Sequence, residues 1–224
     1  MSTRESPHIL AQSARWMVLS KPAGWHTLRN PRDPEETSGP TIESWLREAI
    51  PQCATLPEAG LLHRLDVETT GCLAAARSAA ALAALQPAFR GPEADACKVY
   101  LALVAGRAFD GSFDLHFTSR HRGSHKATVS HQGDPASLGR CQWQVRSRPN
   151  EECTLLEVRI LGPGKRHQIR AGLAYGGYPL LGDALYGGAR WQGGVALHSW
   201  RLRIDGQWVQ CPLPASWGMP TPAA

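Results

Sequence analysis

Residues 63–71 read His-Arg-Leu-Asp-Val-Glu-Thr-Thr-Gly, and the segments at residues 61–66 and 71–76 are predicted strands on either side of a polar turn. The turn carries a carboxylate, Asp66, close to Arg64 and followed by two hydroxyls and a glycine. Turn hydroxyls form local hydrogen bonds and glycine permits unusual backbone angles, so such a loop can be rigid. Because catalytic residues concentrate on loops held by a rigid scaffold, Asp66 is a candidate functional residue, although an aspartate in a turn is more often only a turn residue.

The segments around this turn predict an α+β fold with a mixed, largely antiparallel central sheet flanked by helices and loops. Thr41 and Ser78 are suitable N-caps for helices over residues 42–50 and 79–89. A third, amphipathic helix is expected over residues 167–175, and residues 30–40 and 179–188 are predicted loops. Residues 118–135 are basic and polar and are predicted to form an exposed arm or hairpin. Further strands are expected at residues 15–20, 99–104, 139–148, 154–161 and 196–204.

Length and composition indicate one soluble domain. The chain has 224 residues, of which 42% are hydrophobic and 19% charged, enough for a substantial core and too apolar for a disordered chain. We expect a flexible N-terminus at residues 1–14, a single domain at 15–212 and a tail at 213–224. No apolar run is long enough to span a membrane and no secretory signal is visible, so a cytoplasmic, monomeric protein is expected. The six cysteines are expected to be reduced.

The positive charge is concentrated in the centre of the chain. Residues 95–175 contain twelve Lys and Arg against seven Asp and Glu, whereas the rest of the chain has twelve of each. A localised surplus suits a polyanion such as RNA, because each phosphate contact releases counterions. An ordinary solvated basic surface is an equally good explanation of the charge alone.

Two other motifs do not support a function. The segment Gly162-Pro163-Gly164-Lys165-Arg166 lacks the first glycine and the hydroxyl residue of a phosphate-binding loop. Four histidines lie in or near the basic arm, but their spacing does not suit a metal site. These are His116, His121, His125 and His131.

Five segments match, in order and spacing, the motifs of a known enzyme family. They are Lys21-Pro22-Ala23-Gly24, the 63–71 segment, Lys98-Val99-Tyr100-Leu101-Ala102, Lys165-Arg166-His167-Gln168-Ile169-Arg170, and residues 177–187 with Gly182-Asp183 and Tyr186-Gly187. Together they resemble the large-ribosomal-subunit-A family of pseudouridine synthases over roughly residues 16–204. Thr70 stands where the family usually has serine, and Lys165-Arg166 stand where Arg-Thr is more common.

The resemblance implies the pseudouridine synthase catalytic fold and an enzyme that isomerises a specific uridine in tRNA or ribosomal RNA. It implies no cofactor and no metal. Many relatives carry an additional S4 RNA-binding domain, for which no room is expected in this chain. RNA is the expected partner, whereas the identity of the RNA and of the uridine is left open by the sequence.

The resemblance also assigns roles to individual residues. Asp66 matches the catalytic carboxylate, and Arg170 matches the cation that keeps it ionised. Tyr100 matches the aromatic residue that stacks on the flipped base, and its hydroxyl is a candidate proton carrier. Arg64 matches the residue that fills the space vacated by the uridine. Candidate contacts to the RNA backbone are Arg120, Arg122, Lys126, Lys165 and Arg166.

Other interpretations remain open at this point. Each residue also has a simpler interpretation when it is taken singly. Arg64 could be a surface phosphate contact, Tyr100 a core aromatic residue, and Arg170 part of a salt bridge on a helix. Asp183 and Tyr186 are expected to be structural, as are His63, His167 and Gln168, which are expected to brace loops. Two other function classes are a non-catalytic RNA-binding protein that keeps the fold, and a metal-dependent hydrolase using His63, Asp66 and the arm histidines.

Overall fold

The computed structural model describes residues 5–29, 39–91, 96–119, 121, 124–219 and 222. Three helices are α1 (Ile42–Ala49), α2 (Ala79–Arg90) and α3 (Gln168–Tyr175). The strands form one ten-stranded sheet. They are β1 (His8–Gln12), β2 (Trp16–Lys21), β3 (Thr70–Ala76), β4 (Lys98–Ala105), β5 (Gly111–Ser119), β6 (Ala127–Ser130), β7 (Leu138–Asn150), β8 (Cys153–Leu161), β9 (Leu197–Ile204) and β10 (Gln207–Gln210).

The strand order is β1-β2-β3-β9-β4-β8-β7-β5-β6, and β10 pairs with β9. The pairing of β3 with β9 is parallel and the other strand pairings of this sheet are antiparallel. The prediction of a mixed, largely antiparallel sheet is therefore confirmed. The parallel pair brings β3, which follows the 63–71 segment, beside a strand that lies more than a hundred residues later in the chain.

The glycine at the start of β3 is required by this crossing. Gly71 has a φ of +106°, which is strained for any residue with a side chain. A Cβ atom at this position would overlap the backbone carbonyl of Ser199 in β9. The glycine predicted from the turn therefore serves a close approach of two strands.

Helices cover both faces of the sheet because alternate residues of β2 and β3 point to opposite sides. On one face, Ile42 and Leu46 of α1 and Leu173 of α3 pack in one core with Leu19 of β2. On the other face, the apolar side of α2 packs on Val18 and its neighbours. Both predicted N-caps are confirmed, since Thr41 Oγ1 accepts from Ser44 N at 2.9 Å and Ser78 Oγ accepts from Ala81 N at 3.2 Å.

Five segments differ from the sequence-based expectations. Residues 8–12, assigned to a flexible N-terminus, form the edge strand β1 because they pair with β2. Residues 61–66 are not a strand, and only Leu61 makes an isolated bridge, to Ala75. In the C-terminal tail, Trp217 is buried against the core. The short strand β10 and the first half of β5 were not predicted, and most of the predicted 30–40 loop lies outside the described residues.

The six cysteines are free thiols, and all except Cys97 are buried. Within the part of the chain that the structure describes, no helix is long and apolar enough to cross a membrane.

Candidate active site

The loop that carries Asp66 is held by hydrogen bonds to its backbone. Thr27 Oγ1 donates to Leu65 O at 2.7 Å and accepts from Leu65 N at 3.0 Å, next to Asp66. On the other side of Asp66, the Lys21 ammonium donates to the carbonyls of Val67 and Thr69 at 2.9 and 2.8 Å. The backbone on both sides of Asp66 is therefore fixed before any substrate binds.

Lys21 is a fully buried cation under this loop. Its third proton is donated to Pro22 O at 3.0 Å, so all three ammonium hydrogens have acceptors. Burial lowers the pKa of Lys21 to about 7, opposed by the carboxylates of Asp66 and Glu68. The sequence pattern Lys-Pro-Ala-Gly pointed to this residue only as part of a turn, and the structure shows what the lysine contacts.

Arg170 lies between two carboxylates. Its Nε and Nη2 atoms donate to Asp183 at 2.7 and 2.9 Å, a bidentate pair in which both side chains are buried. Its Nη1 atom lies 3.5 Å from Oδ2 of Asp66, whose side chain is 24% exposed. Asp183 therefore orients the guanidinium, and the free edge of Arg170 faces the Asp66 carboxylate.

The second oxygen of Asp66 faces an imidazole. His167 Nε2 lies 3.9 Å from Asp66 Oδ1, and His167 Nδ1 lies 2.8 Å from the hydroxyl of Tyr186. The Tyr186 ring also lies under the Arg170 guanidinium, at 5.5 Å. Burial lowers the pKa of His167, with Arg170 and Arg166 acting in the same direction and Asp66 opposing them.

Tyr100 is placed by β4 in the same core as Leu65 and is 5% exposed. Burial raises the pKa of its phenol well above the usual value, and the Asp66 carboxylate raises it further. The Tyr100 phenol is therefore protonated, and the charge of Asp66 contributes to its raised pKa. The structure thus places Arg170 3.5 Å from Asp66, and it places Tyr100 in the same core as Leu65, the residue before Asp66.

Arg64 lies on the same loop but on the surface. Its side chain is 63% exposed and forms an ion pair with Glu58 at 3.2 Å. Glu58 is shared with Arg90, at 2.6 Å, so the contact with Arg64 is the more exposed of the two. Because an exposed ion pair contributes little, Arg64 can leave Glu58 at small energetic cost.

The basic arm is a hairpin of β5 and β6, as predicted. Arg166 does not point freely into solvent, since its guanidinium donates to the carbonyls of Ser124 and His125 in the hairpin at 2.6 and 2.9 Å. Lys165 similarly donates to Ala136 O at 2.7 Å. An open cavity of about 390 Å³ lies between these two residues and the hairpin. Lys126 is exposed, and Arg120 and Arg122 lie outside the described residues.

Among the described residues, no group of three or more His, Cys, Asp or Glu side chains could hold a metal ion. In the arm, His116 Nδ1 is instead hydrogen-bonded with the Ser137 hydroxyl at 2.9 Å. His131 packs edge-on against Tyr175. The described residues therefore offer no site for the hydrolase hypothesis.

Three residues that the sequence assigned to structural roles belong to the site. His167, Asp183 and Tyr186 contact Asp66 or Arg170 directly. The motif Gly-Asp-x-x-Tyr-Gly could have identified Asp183 and Tyr186 as site residues from the sequence. Gln168 does brace a loop, since its amide donates to Arg140 O at 2.9 Å and accepts from Lys165 N at 2.8 Å.

His63 is outside the site and is a buried, neutral histidine. Its Nε2 accepts from Ala74 N at 3.0 Å, and its ring stacks on Phe89. Burial, reinforced by Lys98 and Arg90, lowers its pKa to about 3. The expectation that His63 braces the loop agrees with these contacts.

His63 leads to a prediction about acid stability. In the unfolded chain this histidine gains a proton below about pH 6.5, whereas in the folded chain it stays neutral down to about pH 3, so stability falls as the pH decreases through this window. Between pH 7 and 5 the wild type is expected to lose about 2 kcal/mol more unfolding free energy than His63→Gln. Urea unfolding at pH 7, 6 and 5 measures both slopes, and equal slopes would contradict the prediction.

A family model described as RNA pseudouridylate synthase matches residues 15–175 of the chain. The chain is 33% identical over 183 residues to the ribosomal large subunit pseudouridine synthase D of Xanthomonas campestris pv. campestris, covering 81% of this chain and 52% of that protein. It is 30% identical over 216 residues to the protein of the same name from Nitrosomonas europaea, covering 88% of this chain and 57% of that protein. The chain thus spans about half the length of the curated relatives it matches.

Solved structures share the fold. The human RNA pseudouridylate synthase domain containing 4 matches with a TM-score of 0.71 at 22% identity, covering 92% of this chain and 88% of that chain. The human RNA pseudouridylate synthase domain containing 1 matches with a TM-score of 0.67 at 21% identity, covering 96% of this chain and 85% of that chain. The predicted fold, including its mixed central sheet, is confirmed by these matches.

Proposed function

Because this chain belongs to the RNA pseudouridylate synthase family, we propose that it isomerises a uridine of RNA to pseudouridine. The observation that carries the proposal is the arrangement around Asp66: a carboxylate on a rigid loop with an arginine 3.5 Å away. Arg170 therefore presents a fixed positive charge to the Asp66 carboxylate. A protein that only bound RNA would gain nothing from a carboxylate facing phosphates.

The reaction needs no group from outside the RNA. The bond between C1′ and N1 of the uridine breaks, the uracil turns, and a bond forms between C1′ and C5. The C5 hydrogen leaves as a proton and N1 ends with a proton, so atoms and electrons balance without a cofactor. Asp66 could attack C1′, add to C6 of the base or remove the 2′ proton, and each of these routes requires the ionised form.

The target uridine has to leave the RNA stack, at a cost of a few kcal/mol. We propose that Tyr100 stacks on the flipped base, a contact that contributes about 1–3 kcal/mol. Arg64 is proposed to leave its exposed ion pair with Glu58 and to occupy the vacated space. Arg170, held by Asp183, is proposed to keep its positive charge facing the Asp66 carboxylate while the base is bound.

Ribosomal RNA of the large subunit is the proposed substrate. The curated relatives are named for the large ribosomal subunit, and this supports ribosomal RNA over tRNA. The hairpin of β5 and β6 is the proposed contact to the RNA backbone, through Lys126, Arg120 and Arg122. Lys165 and Arg166 support this surface by tying it to α3, as well as adding positive charge.

Release of tritium from RNA labelled at uridine C5 tests the proposal, because the label leaves only when C5 bonds to C1′. Purified protein is incubated, at a hundredfold excess of RNA, with a transcript of large-subunit ribosomal RNA and separately with a tRNA pool. Multiple-turnover release from the ribosomal transcript is expected, and chemical mapping then identifies the uridine.

Each alternative gives a distinct outcome. Release from the tRNA pool alone would move the substrate to tRNA and leave the activity intact. Tight RNA binding without release from either RNA would favour a non-catalytic RNA-binding protein. Activity that disappears with a chelator would indicate a metal-dependent reaction.

A further inference from the structure

The catalytic carboxylate and the basic hairpin are joined by a chain of contacts through two side chains. The backbone amide of Ala127, the first residue of β6, lies 2.8 Å from the hydroxyl of Tyr186. That hydroxyl lies 2.8 Å from Nδ1 of His167, whose Nε2 lies 3.9 Å from Asp66. The chain therefore runs from the hairpin to Asp66 over residues that are far apart in sequence.

The first hydrogen bond has a fixed direction, and we infer the direction of the second from the surroundings of His167. A backbone amide can only donate, so the Tyr186 oxygen accepts from Ala127. The single phenol proton is then available to His167 Nδ1, which accepts it. A neutral imidazole that accepts at Nδ1 carries its proton on Nε2. That proton points to Asp66, whereas the opposite tautomer would place a lone pair against the carboxylate.

The distance between His167 and Asp66 is longer than a hydrogen bond in the protein without RNA. Oδ1 of Asp66 lies 3.9 Å from His167 Nε2, beyond hydrogen-bonding distance, whereas Oδ2 accepts a long hydrogen bond from Arg170 at 3.5 Å. Catalytic hydrogen bonds are often long in the absence of substrate and shorten when it binds. A small movement of His167 would complete the contact.

The β5–β6 hairpin contacts both neighbours of the His167 side chain: Arg166, which precedes it in the chain, and Tyr186, which is hydrogen-bonded to it. Arg166, the preceding residue, donates to two hairpin carbonyls, and Lys126 of the hairpin lies over the Tyr186 ring at 5.2 Å. His167 itself has a left-handed backbone with a φ of 55°, uncommon for a residue with a side chain. A shift of the hairpin would therefore be transmitted to the imidazole.

We propose that His167, oriented by Tyr186, is a positioning residue for Asp66, and that Tyr186 couples it to the β5–β6 hairpin, so that RNA seated on the hairpin aligns the carboxylate. The inference rests on the proposed function and adds a way in which substrate binding prepares the catalytic group. His167 and Tyr186 act through Asp66 and need no contact with the reacting atoms.

Tyr186→Phe tests the coupling because it removes one oxygen and keeps the ring beneath Arg170. At pH 8 we expect kcat for tritium release to fall about tenfold, with KM within twofold of wild type. His167, now without the donor to Nδ1, accepts a proton more readily among its charged neighbours Asp66, Asp183, Arg166 and Arg170. The protonated imidazole would form an ion pair with the Asp66 carboxylate and make it less reactive, so the kcat of Tyr186→Phe is expected to fall several-fold further between pH 7.5 and 6, whereas wild-type kcat changes less.

Matched variants separate this role from a structural one. Tyr175→Phe makes the same chemical change on an exposed ring of α3 and is expected to leave kcat and its pH profile unchanged. Asparagine tolerates the left-handed backbone at this position. The kcat of His167→Asn should be about tenfold lower than that of the wild type at every pH, without the further decrease between pH 7.5 and 6. The double variant should be no slower than His167→Asn, because residues in one chain of contacts are not additive.

Nitrogen-15 shifts of the His167 imidazole give a readout independent of activity. The wild type is expected to show the tautomer protonated at Nε2, and Tyr186→Phe should lose this preference. Any one of three results would overturn the inference. These are a wild-type kcat in Tyr186→Phe, additive losses in the double variant, and a wild-type protein in which His167 is protonated at Nδ1. A wild type that releases no tritium would refute the proposed function instead, and the tautomer would still be decided by the shifts.

Discussion

Replacing Asp66 with asparagine is expected to slow tritium release by at least about 10³-fold, which corresponds to about 4 kcal/mol in the activation barrier. Asparagine has nearly the same shape as aspartate and can still accept from Arg170. The substitution therefore removes the negative charge and little else. An amide cannot attack C1′, add to the base or take the 2′ proton, so every route open to Asp66 is blocked.

Asp205→Asn is the matched control for this experiment. Asp205 lies in the turn between β9 and β10 and pairs with Arg15 at 2.9 Å, with both side chains exposed. Its backbone is left-handed, with a φ of 51°, a conformation that asparagine tolerates. Asp205→Asn should retain wild-type activity, and both variants should keep the wild-type circular dichroism spectrum. Activity of Asp66→Asn above a tenth of wild type would exclude Asp66 from the chemical step.

Replacing Asp183 with asparagine is expected to lower the free energy of unfolding by at least about 3 kcal/mol. The Asp183 side chain is 1% exposed, and it accepts two hydrogen bonds from Arg170. An amide can accept only one of them, and its NH₂ group would oppose the other donor. The buried guanidinium would then be left with the distant Asp66 as its ionic partner, which is the costly way to break a buried pair.

Urea unfolding of the same series of variants measures this cost. Asp205→Asn breaks an exposed ion pair and should lose less than about 1 kcal/mol. Arg170→Met combined with Asp183→Leu removes both charges and is expected to be more stable than Asp183→Asn while remaining inactive. A loss below 1 kcal/mol for Asp183→Asn would mean that Arg170 is held by other contacts.

The Asp66 loop and the helices were predictable because their signals are local. Thr41 and Ser78 begin helices as the capping rule predicts, since a cap depends on the next three residues of the chain. The turn that follows Asp66 was likewise evident from its polar residues and glycine, whereas the strand predicted at residues 61–66 does not form. Edge elements such as β1 and β10 were missed because a short edge strand is determined by its neighbour in the sheet and carries a weak pattern of its own.

The sequence by itself determined the order of the motifs, the candidate residues Asp66, Tyr100 and Arg170, and the family they resemble. Only the tertiary structure decided how these residues are connected. Arg170 lies 104 residues from Asp66 and 13 from Asp183, yet one guanidinium serves both. Such contacts join α3 to loops that are distant from it in the sequence. Spacing along a chain does not encode distances across a sheet, so these contacts could be identified only in the folded structure.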